Sequence, residues 1–220
     1  MGAIMQTNGN AVARPEYYNR VKGWMLSFIA DGPNRILDLG CGAGRLGQRL
    51  REAGKVGEMY GVELCPEVAE EAAKIYDRVI VGDAEKVDFD FLSSLDYVIC
   101  GDILEHLQDP YTVVRKIMEW LKPGGKLLVC LPNIRNYRIL QDLALHGEWK
   151  YTDAGILDQT HLRFFTRQSC KRMLREAGFE VYHDHMVVDG GRKGLFDKLT
   201  CGLFEEFLGA QIFVCGRKSV

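Results

Sequence analysis

The stretch Arg35-Ile36-Leu37-Asp38-Leu39-Gly40-Cys41-Gly42-Ala43-Gly44-Arg45-Leu46-Gly47 decides the fold. Its apolar start, Ile36, Leu37 and Leu39, predicts a short strand buried on both faces of a parallel sheet. The alternating Gly40, Gly42 and Gly44 end that strand, because neither strand nor helix interiors favour glycine. Without Cβ atoms the backbone turns sharply there, and a ligand can come close to its amides. Arg45 to Ala53 has helix-forming composition, so the unsatisfied N–H groups of its first turn point back at the loop. A strand, a glycine loop and a helix in that order make a cradle for a cofactor.

Two cofactor classes compete for this cradle. Gly42, Gly44 and Gly47 satisfy G-x-G-x-x-G, which supports a nicotinamide-dependent oxidoreductase, although a single match of that pattern is weak. Three acids favour S-adenosylmethionine instead. Asp38 precedes the glycines, placed for the positive end of an amino acid. Glu63 ends the apolar run Met59-Tyr60-Gly61-Val62, where a carboxylate accepts from both ribose hydroxyls. Asp83 follows Val79-Ile80-Val81-Gly82, placed to accept from an adenine amino group.

Together these residues resemble the class I methyltransferase family: Asp-x-Gly-x-Gly-x-Gly from Asp38, an acid after the second strand, then Gly82-Asp83-Ala84 after the third. The turn Leu121-Lys122-Pro123-Gly124-Gly125 before a fifth strand continues the resemblance, which spans residues 30 to 185. It implies a Rossmann-like α/β fold: a seven-stranded, mostly parallel sheet whose last strand is antiparallel. Helices cover both faces, a helix leads, and an insertion follows the fifth strand. It implies S-adenosylmethionine as cofactor and S-adenosylhomocysteine as product. The cofactor set is then Asp38, Gly40, Cys41, Gly42, Gly44, Glu63, Leu64, Asp83, Ala84 and Gly101. Tyr17 or Tyr18 of the leading helix could close over the cofactor, or simply pack on the sheet.

Composition bounds the rest. The 220 residues suffice for one domain with a sizeable core, and 47% hydrophobic with 26% charged residues is an ordinary globular balance. A formal charge of −2 without a basic run disfavours nucleic acid as a partner. The seven cysteines lie mostly in apolar runs and form no C-x-x-C pair, so they read as buried thiols in a reducing compartment, with no structural zinc. No apolar stretch has the length of a membrane span, and the start lacks a signal pattern, so the expected location is the cytoplasm.

In chain order, residues 1–13 read as flexible, and apolar residues at threes and fours predict a leading helix over 14–34. The cofactor-binding core follows over 35–131, with helices over 67–74 and 110–121 and strands at 95–100 and 126–131. Residues 132–166 read as an insertion forming a lid over the acceptor, with an amphipathic helix from Asn136 to His146. Residues 167–220 complete a single domain with a helix, a strand, one further helix from Leu195 to Leu208 and a closing strand. The apolar residues of that last helix pack into the core or else form a homodimer face.

Two stretches carry candidate chemistry. Gly101-Asp102-Ile103-Leu104-Glu105-His106 follows the fourth strand, at the sheet edge where such folds bind ligands. Glu105 and His106 face the acceptor, or His106 fixes the loop by hydrogen bonds. Asp102, Glu105 and His106 also resemble, in spacing, methyltransferases that use a divalent ion. Those carry Glu where Asp102 stands, and the expected site holds no metal. The string Asp158-x-Thr160-His161-x-Arg163-Phe164-Phe165-Thr166 resembles the MetW-like branch of the family. There His161 is the general-base candidate, oriented by Asp158, or else His161 and Arg163 tie the insertion to the sheet. Asn133, Arg135, Tyr151 and Arg163 are the candidate acceptor contacts. The expected activity is methylation of a small polar acceptor, a sugar or other polar metabolite, at oxygen. The resemblance also leaves open a cofactor-binding regulator of a partner enzyme.

Overall fold

The computed structural model describes residues 22–87, 93–188 and 191–220. Its strands are β1 (Asn34–Leu39), β2 (Val56–Glu63), β3 (Arg78–Val81), β4 (Leu95–Gly101), β5 (Leu121–Pro132), β6 (Glu180–Val187) and β7 (Gln211–Arg217). They form one sheet in the order β3-β2-β1-β4-β5-β7-β6. The pairs among β1 to β5 are parallel, and β7 runs antiparallel to both β5 and β6. This is the mostly parallel sheet expected, with its last strand reversed.

The apolar runs are buried on both sides because the sheet is covered on both sides. Side chains alternate across a strand, so Leu37, Leu39, Val98, Cys100, Leu127 and Val129 fill one core. Their neighbours Ile36, Tyr97, Ile99, Leu128 and Cys130 fill the other, with Phe213 of β7. Helices α1 (Arg45–Glu52) and α2 (Pro66–Ala72) serve the second core through Leu50 and Ala72. Helices α3 (Pro110–Trp120) and α5 (Arg167–Glu176) serve the first. Asp109 starts α3 by accepting from the Thr112 amide at 3.1 Å, with Pro110 where its missing N–H costs nothing. Thr166 and Ser169 start α5 with a reciprocal capping box. Both caps fall where the polar-to-apolar change in sequence places a helix start.

Three expectations need correction or limits. The leading helix survives, among described residues, as a 3-10 turn over Gly23–Phe28 that buries Met25; residues 1–21, with Tyr17 and Tyr18, lie outside the described residues. The inserted helix is α4 (Tyr137–Gln141) continued by a widened π turn over Asp142–His146. The single helix expected from Leu195 to Leu208 is two, α6 (Arg192–Leu199) and α7 (Glu205–Leu208). Cys201 and Gly202 between them take left-handed backbone (φ 51° and 76°), which breaks a right-handed helix. Leu195, Leu199, Leu203 and Phe204 are exposed there and do not pack into the core.

Candidate active site

The glycine loop sits at the carboxyl end of β1 as the pattern requires. Gly40, Gly42 and Gly44 all have positive φ (70°, 54° and 77°), and a Cβ on Gly44 would meet Ala72 Cα at 3.0 Å. The Gly40 and Cys41 amides donate to Val62 O at 2.9 and 3.0 Å, which stitches the loop to β2. Glu63, at the end of β2, completes the brace: its two oxygens accept from the Gly42 and Cys65 amides, each at 3.0 Å. Cys41 is buried, its thiol pushed above the usual range by burial and then by the Asp38 and Glu63 charges, and it carries no reactive thiolate.

Asp38 lies beneath this loop, 4% exposed. The Tyr76 hydroxyl donates to its Oδ2 at 2.8 Å and accepts from the Gly47 amide at 3.2 Å. Burial pushes the Asp38 carboxyl up to about 7, against the Tyr76 hydrogen bond and with the help of the Glu63 charge. Tyr76 gives no signal in the sequence beyond closing a helix, and its role is visible only in the folded chain. Gly47, the third glycine of the dinucleotide-like pattern, is explained by the same ring: a Cβ there would fall 2.0 Å from Tyr76 Cε1.

A hollow of about 150 Å³ opens beside the loop, and its walls include Gly40, Glu63, Leu64, Asp83, Ala84, Ile103, His106 and Leu162. Of the residues named from sequence, Gly40, Glu63, Leu64, Asp83, Ala84 and His106 therefore line one cavity at the carboxyl edge of the sheet. Asp83 there accepts from the Glu85 amide at 3.0 Å and pairs with Lys86 at 2.9 Å. Burial raises its carboxyl, but these partners outweigh burial and hold it low, so it is an ionised acceptor. A larger groove of about 440 Å³ between α1 and α2 is lined mainly by exposed charges such as Arg45, Glu52, Glu71 and Lys74. Glu63 and Asp83 line the smaller hollow and not this groove, so the smaller hollow is the candidate site. A glycine cradle, two carboxylates on its rim and an apolar floor fit S-adenosylmethionine.

On the far wall the insertion folds back against the segment after β4. The Leu162 and Arg163 amides both donate to Glu105 O, at 2.8 and 3.0 Å, so two distant stretches are zipped together. This brings His161 Nε2 to 4.0 Å from Glu105 Oε1 and the His106 and His161 rings to a 4.8 Å centroid distance. The sequence expectation that Asp158 orients His161 is corrected. His161 Nδ1 bonds Ile156 O at 2.9 Å, while Asp158 Oδ1 accepts from the Thr160 amide and hydroxyl at 2.9 and 2.7 Å. A carbonyl only accepts, so His161 Nδ1 carries a proton, and Nε2 is the nitrogen turned toward Glu105. Glu105 is 1% exposed, and neither carboxyl oxygen has a hydrogen-bond partner; burial, then the Asp102 charge, raises its carboxyl well above the usual range. His106 is pushed down by burial and by the neighbouring His161.

The remaining named residues divide. Asp102, also in left-handed backbone (φ 64°), is held by Lys22 and by Gln211 Nε2 at 3.0 Å, away from the Glu105 group. Gly101 has open space where a Cβ would stand. Asn133 is 1% exposed and clamps the C-terminal segment, donating to Glu206 O and Gly209 O at 2.8 and 2.9 Å. Arg135 pairs with Glu206 and lies over the Phe207 ring. Arg163 donates to Leu162 O and Gln108 O, which ties the insertion to the sheet edge. Tyr151 is half exposed near Phe164, whose ring also meets Trp149 edge-on at 5.2 Å.

Residues 16–184 match the model of the family described as a methyltransferase domain. The chain belongs to that methyltransferase family. The nicotinamide reading of the glycine loop is thereby overturned. Among curated relatives, the ubiquinone biosynthesis O-methyltransferase of Thiobacillus denitrificans is 30% identical over 67% of this chain and 65% of its own length. That of Aromatoleum aromaticum is 28% identical over 67% and 64%. The chain thus spans just under two thirds of the length of these relatives. Its fold matches a S-adenosylmethionine-dependent methyltransferase from Archaeoglobus fulgidus with a TM-score of 0.66 at 17% identity, over 94% of this chain and 95% of that one. It also matches a possible histamine N-methyltransferase from Thermotoga maritima, TM-score 0.64 at 20% identity, over 90% and 87%. No described helix is long and apolar enough to cross a membrane.

Proposed function

We propose that this protein transfers a methyl group from S-adenosylmethionine to a hydroxyl oxygen of a small polar acceptor, a sugar or similar metabolite, and releases S-adenosylhomocysteine. The observation that carries the reading is His161, whose Nε2 faces the buried Glu105 and whose ring packs on His106, a residue lining the hollow beside the glycine loop. The name of the curated relatives supports oxygen as the methylated atom. In this reading residues 1–220 work as one methyltransferase unit in the cytoplasm, with 132–166 as its lid.

When bound, the cofactor supplies a methyl group already activated on a sulfonium, open to in-line displacement. Gly40, Gly42, Gly44, Glu63 and Asp83 would hold it, and Asp38, ionised, would balance its ammonium. Holding donor and acceptor in line can remove roughly 7–11 kcal/mol of barrier. His161 takes the hydroxyl proton as the oxygen attacks, a contribution of roughly 10²–10⁴ in rate. Tyr151 and Phe164 flank the acceptor, while Asn133, Arg135 and Arg163 hold the lid to the scaffold.

The test is calorimetric titration with S-adenosylmethionine, followed by transfer of labelled methyl to a panel of phenolic and sugar hydroxyls. Tight binding with label on oxygen is the expected result. Label on nitrogen alone, or none on any acceptor, overturns the assignment. A second reading, a regulator in the MetW-like manner, is favoured by Leu140, Leu143 and Leu145, which stand exposed on the insertion. It predicts cofactor binding without turnover. The exposed leucines of α6 and the following turn would serve as a homodimer face, testable by sedimentation.

A further inference from the structure

We propose that Glu85 is a positioning residue that couples the cofactor hollow to the insertion, so that cofactor binding and ordering of the acceptor side support each other. The coupling to the cofactor rests on the reading of the hollow given above; the link between Glu85 and the insertion does not. Three stretches distant in sequence meet in the hollow's wall: Asp83, Ala84 and Glu85 after β3, Gln108 in the segment after β4, and Leu162 in the insertion.

Every polar group of Glu85 is engaged. Its amide donates to Asp83 Oδ1 at 3.0 Å, which fixes the carboxylate that would accept from the adenine amino group. Its carbonyl accepts from Lys116 Nζ of α3, also at 3.0 Å. Its carboxylate straddles two consecutive amides: Gln108 donates to Oε2 at 3.0 Å and Asp109 to Oε1 at 2.7 Å. Bonds with an ionised acceptor are short and roughly twice as strong as neutral ones. In a capping box the amide of the capping residue is satisfied by a side chain of its own helix. Here Asp109 caps α3, and the acceptor for its amide comes from a loop 24 positions away. The carboxylate therefore fastens the loop after β3 to the segment after β4.

From that segment the connection runs on into the insertion. The Arg163 guanidinium donates to Gln108 O, and the Leu162 and Arg163 amides donate to Glu105 O at 2.8 and 3.0 Å. Gln108 thus has its N–H held from the cofactor side and its carbonyl from the insertion side. A ligand that fixes Asp83 steadies Glu85, Gln108 and Arg163 in turn. Coupling between two sites is reciprocal, so loosening the insertion must weaken cofactor binding by the same factor. Arg163 is the informative position, because it is not among the residues that wall the hollow.

The experiment measures S-adenosylhomocysteine affinity by calorimetry for the full chain, Glu85→Gln, Arg163→Met and the double variant, each checked for folding by circular dichroism. Glutamine keeps the shape of Glu85 but offers one accepting oxygen to two amides. Each single variant should lose about fivefold or more in affinity. The double variant should lose no more than the weaker single one, because either change breaks the same connection. Hydrogen exchange without ligand should be about fivefold faster over residues 158–166 in Glu85→Gln than in the wild type. In the wild type, saturating S-adenosylhomocysteine should slow exchange over the same residues, which keeps the test decisive if a variant fails to fold. Wild-type affinity in Arg163→Met, or losses that multiply in the double variant, would overturn the coupling and leave Glu85 a direct cofactor contact or a helix brace. Unchanged exchange in Glu85→Gln would overturn the link to the insertion. A wild type that binds no S-adenosylhomocysteine would instead overturn the cofactor reading, and with it the coupling, while the ligand-free exchange still decides the link.

Discussion

His161 Nε2 and Glu105 Oε1 stand 4.0 Å apart in the interior, brought together by two amides of the insertion that donate to the Glu105 carbonyl. An imidazole nitrogen and a buried carboxylate without a hydrogen-bond partner face each other one residue away from His106 and Leu162 of the hollow's wall. The consequence is a separation of effects. His161→Asn should lower the rate of methyl transfer by roughly 10²–10⁴ while the affinity for S-adenosylmethionine stays within a factor of about two. Single-turnover rates beside calorimetric titration check this. A matching loss of cofactor affinity would place His161 in the scaffold instead.

Asp38 should make cofactor binding depend on pH. Its carboxyl titrates at about 7 in the folded protein, and only its ionised form balances an ammonium. Affinity for S-adenosylmethionine should rise about tenfold from pH 6 to pH 8, as the ionised fraction grows from about one tenth to about nine tenths. Asp38→Asn should bind weakly and without that slope. Without cofactor, the sign reverses for stability. The folded-state carboxyl lies above its unfolded value, so the folded protein binds the extra proton. The stability it contributes is full below pH 4 and lost as pH rises through 7, at up to about 1.4 kcal/mol per pH unit. Denaturant melts of wild type and Asp38→Asn across that range measure the difference.

Tyr76→Phe should act through Asp38. Removing the hydroxyl deletes the 2.8 Å hydrogen bond to the carboxylate and the acceptor of the Gly47 amide. A hydrogen bond to a charged group is worth about 1.5–3 kcal/mol, so cofactor affinity at pH 7 should fall about tenfold or more. The loss should shrink at pH 9, where Asp38 is ionised in both proteins. An equal loss at both pH values would show that Tyr76 acts by packing alone.

Gly47→Ala tests packing rather than chemistry. The added methyl would meet the buried Tyr76 ring at 2.0 Å, so the helix or the ring must shift. Overpacking of this kind costs about 1–3 kcal/mol. A lowered thermal midpoint is expected, with weaker cofactor binding because the same ring positions Asp38. An unchanged midpoint would mean that Tyr76 swings aside freely.

Glu63→Gln should separate bracing from recognition. The amide oxygen can still accept from one of the Gly42 and Cys65 amides, so the fold should hold with a small loss of stability. Cofactor affinity should drop by more than about tenfold, and an analogue lacking the ribose hydroxyls should lose less between wild type and variant. Equal losses for both ligands, measured by calorimetry, would confine Glu63 to bracing the loop.

The local sequence determined the sheet and its cradle. Runs such as Ile36-Leu37 and Val98-Ile99-Cys100 can be buried on both faces only in a covered parallel sheet. Gly40, Gly42 and Gly44 occupy backbone that other residues disfavour, and acids at strand ends share the edge where parallel sheets bind ligands. These are short-range constraints, visible in consecutive residues. The partner of Asp38, the orientation of His161 and the isolation of Glu105 were decided only by the tertiary structure. Tyr76 lies 38 positions from Asp38, and sequence spacing within one element says nothing of which side chain meets another across the core. Asp158 looked like the orienter of His161 because it is near in sequence, yet the tight turn sends its carboxylate to Thr160 and leaves the Ile156 carbonyl to set the ring. The break at Cys201–Gly202 belongs to the same class, since periodicity alone does not register a pair of left-handed residues.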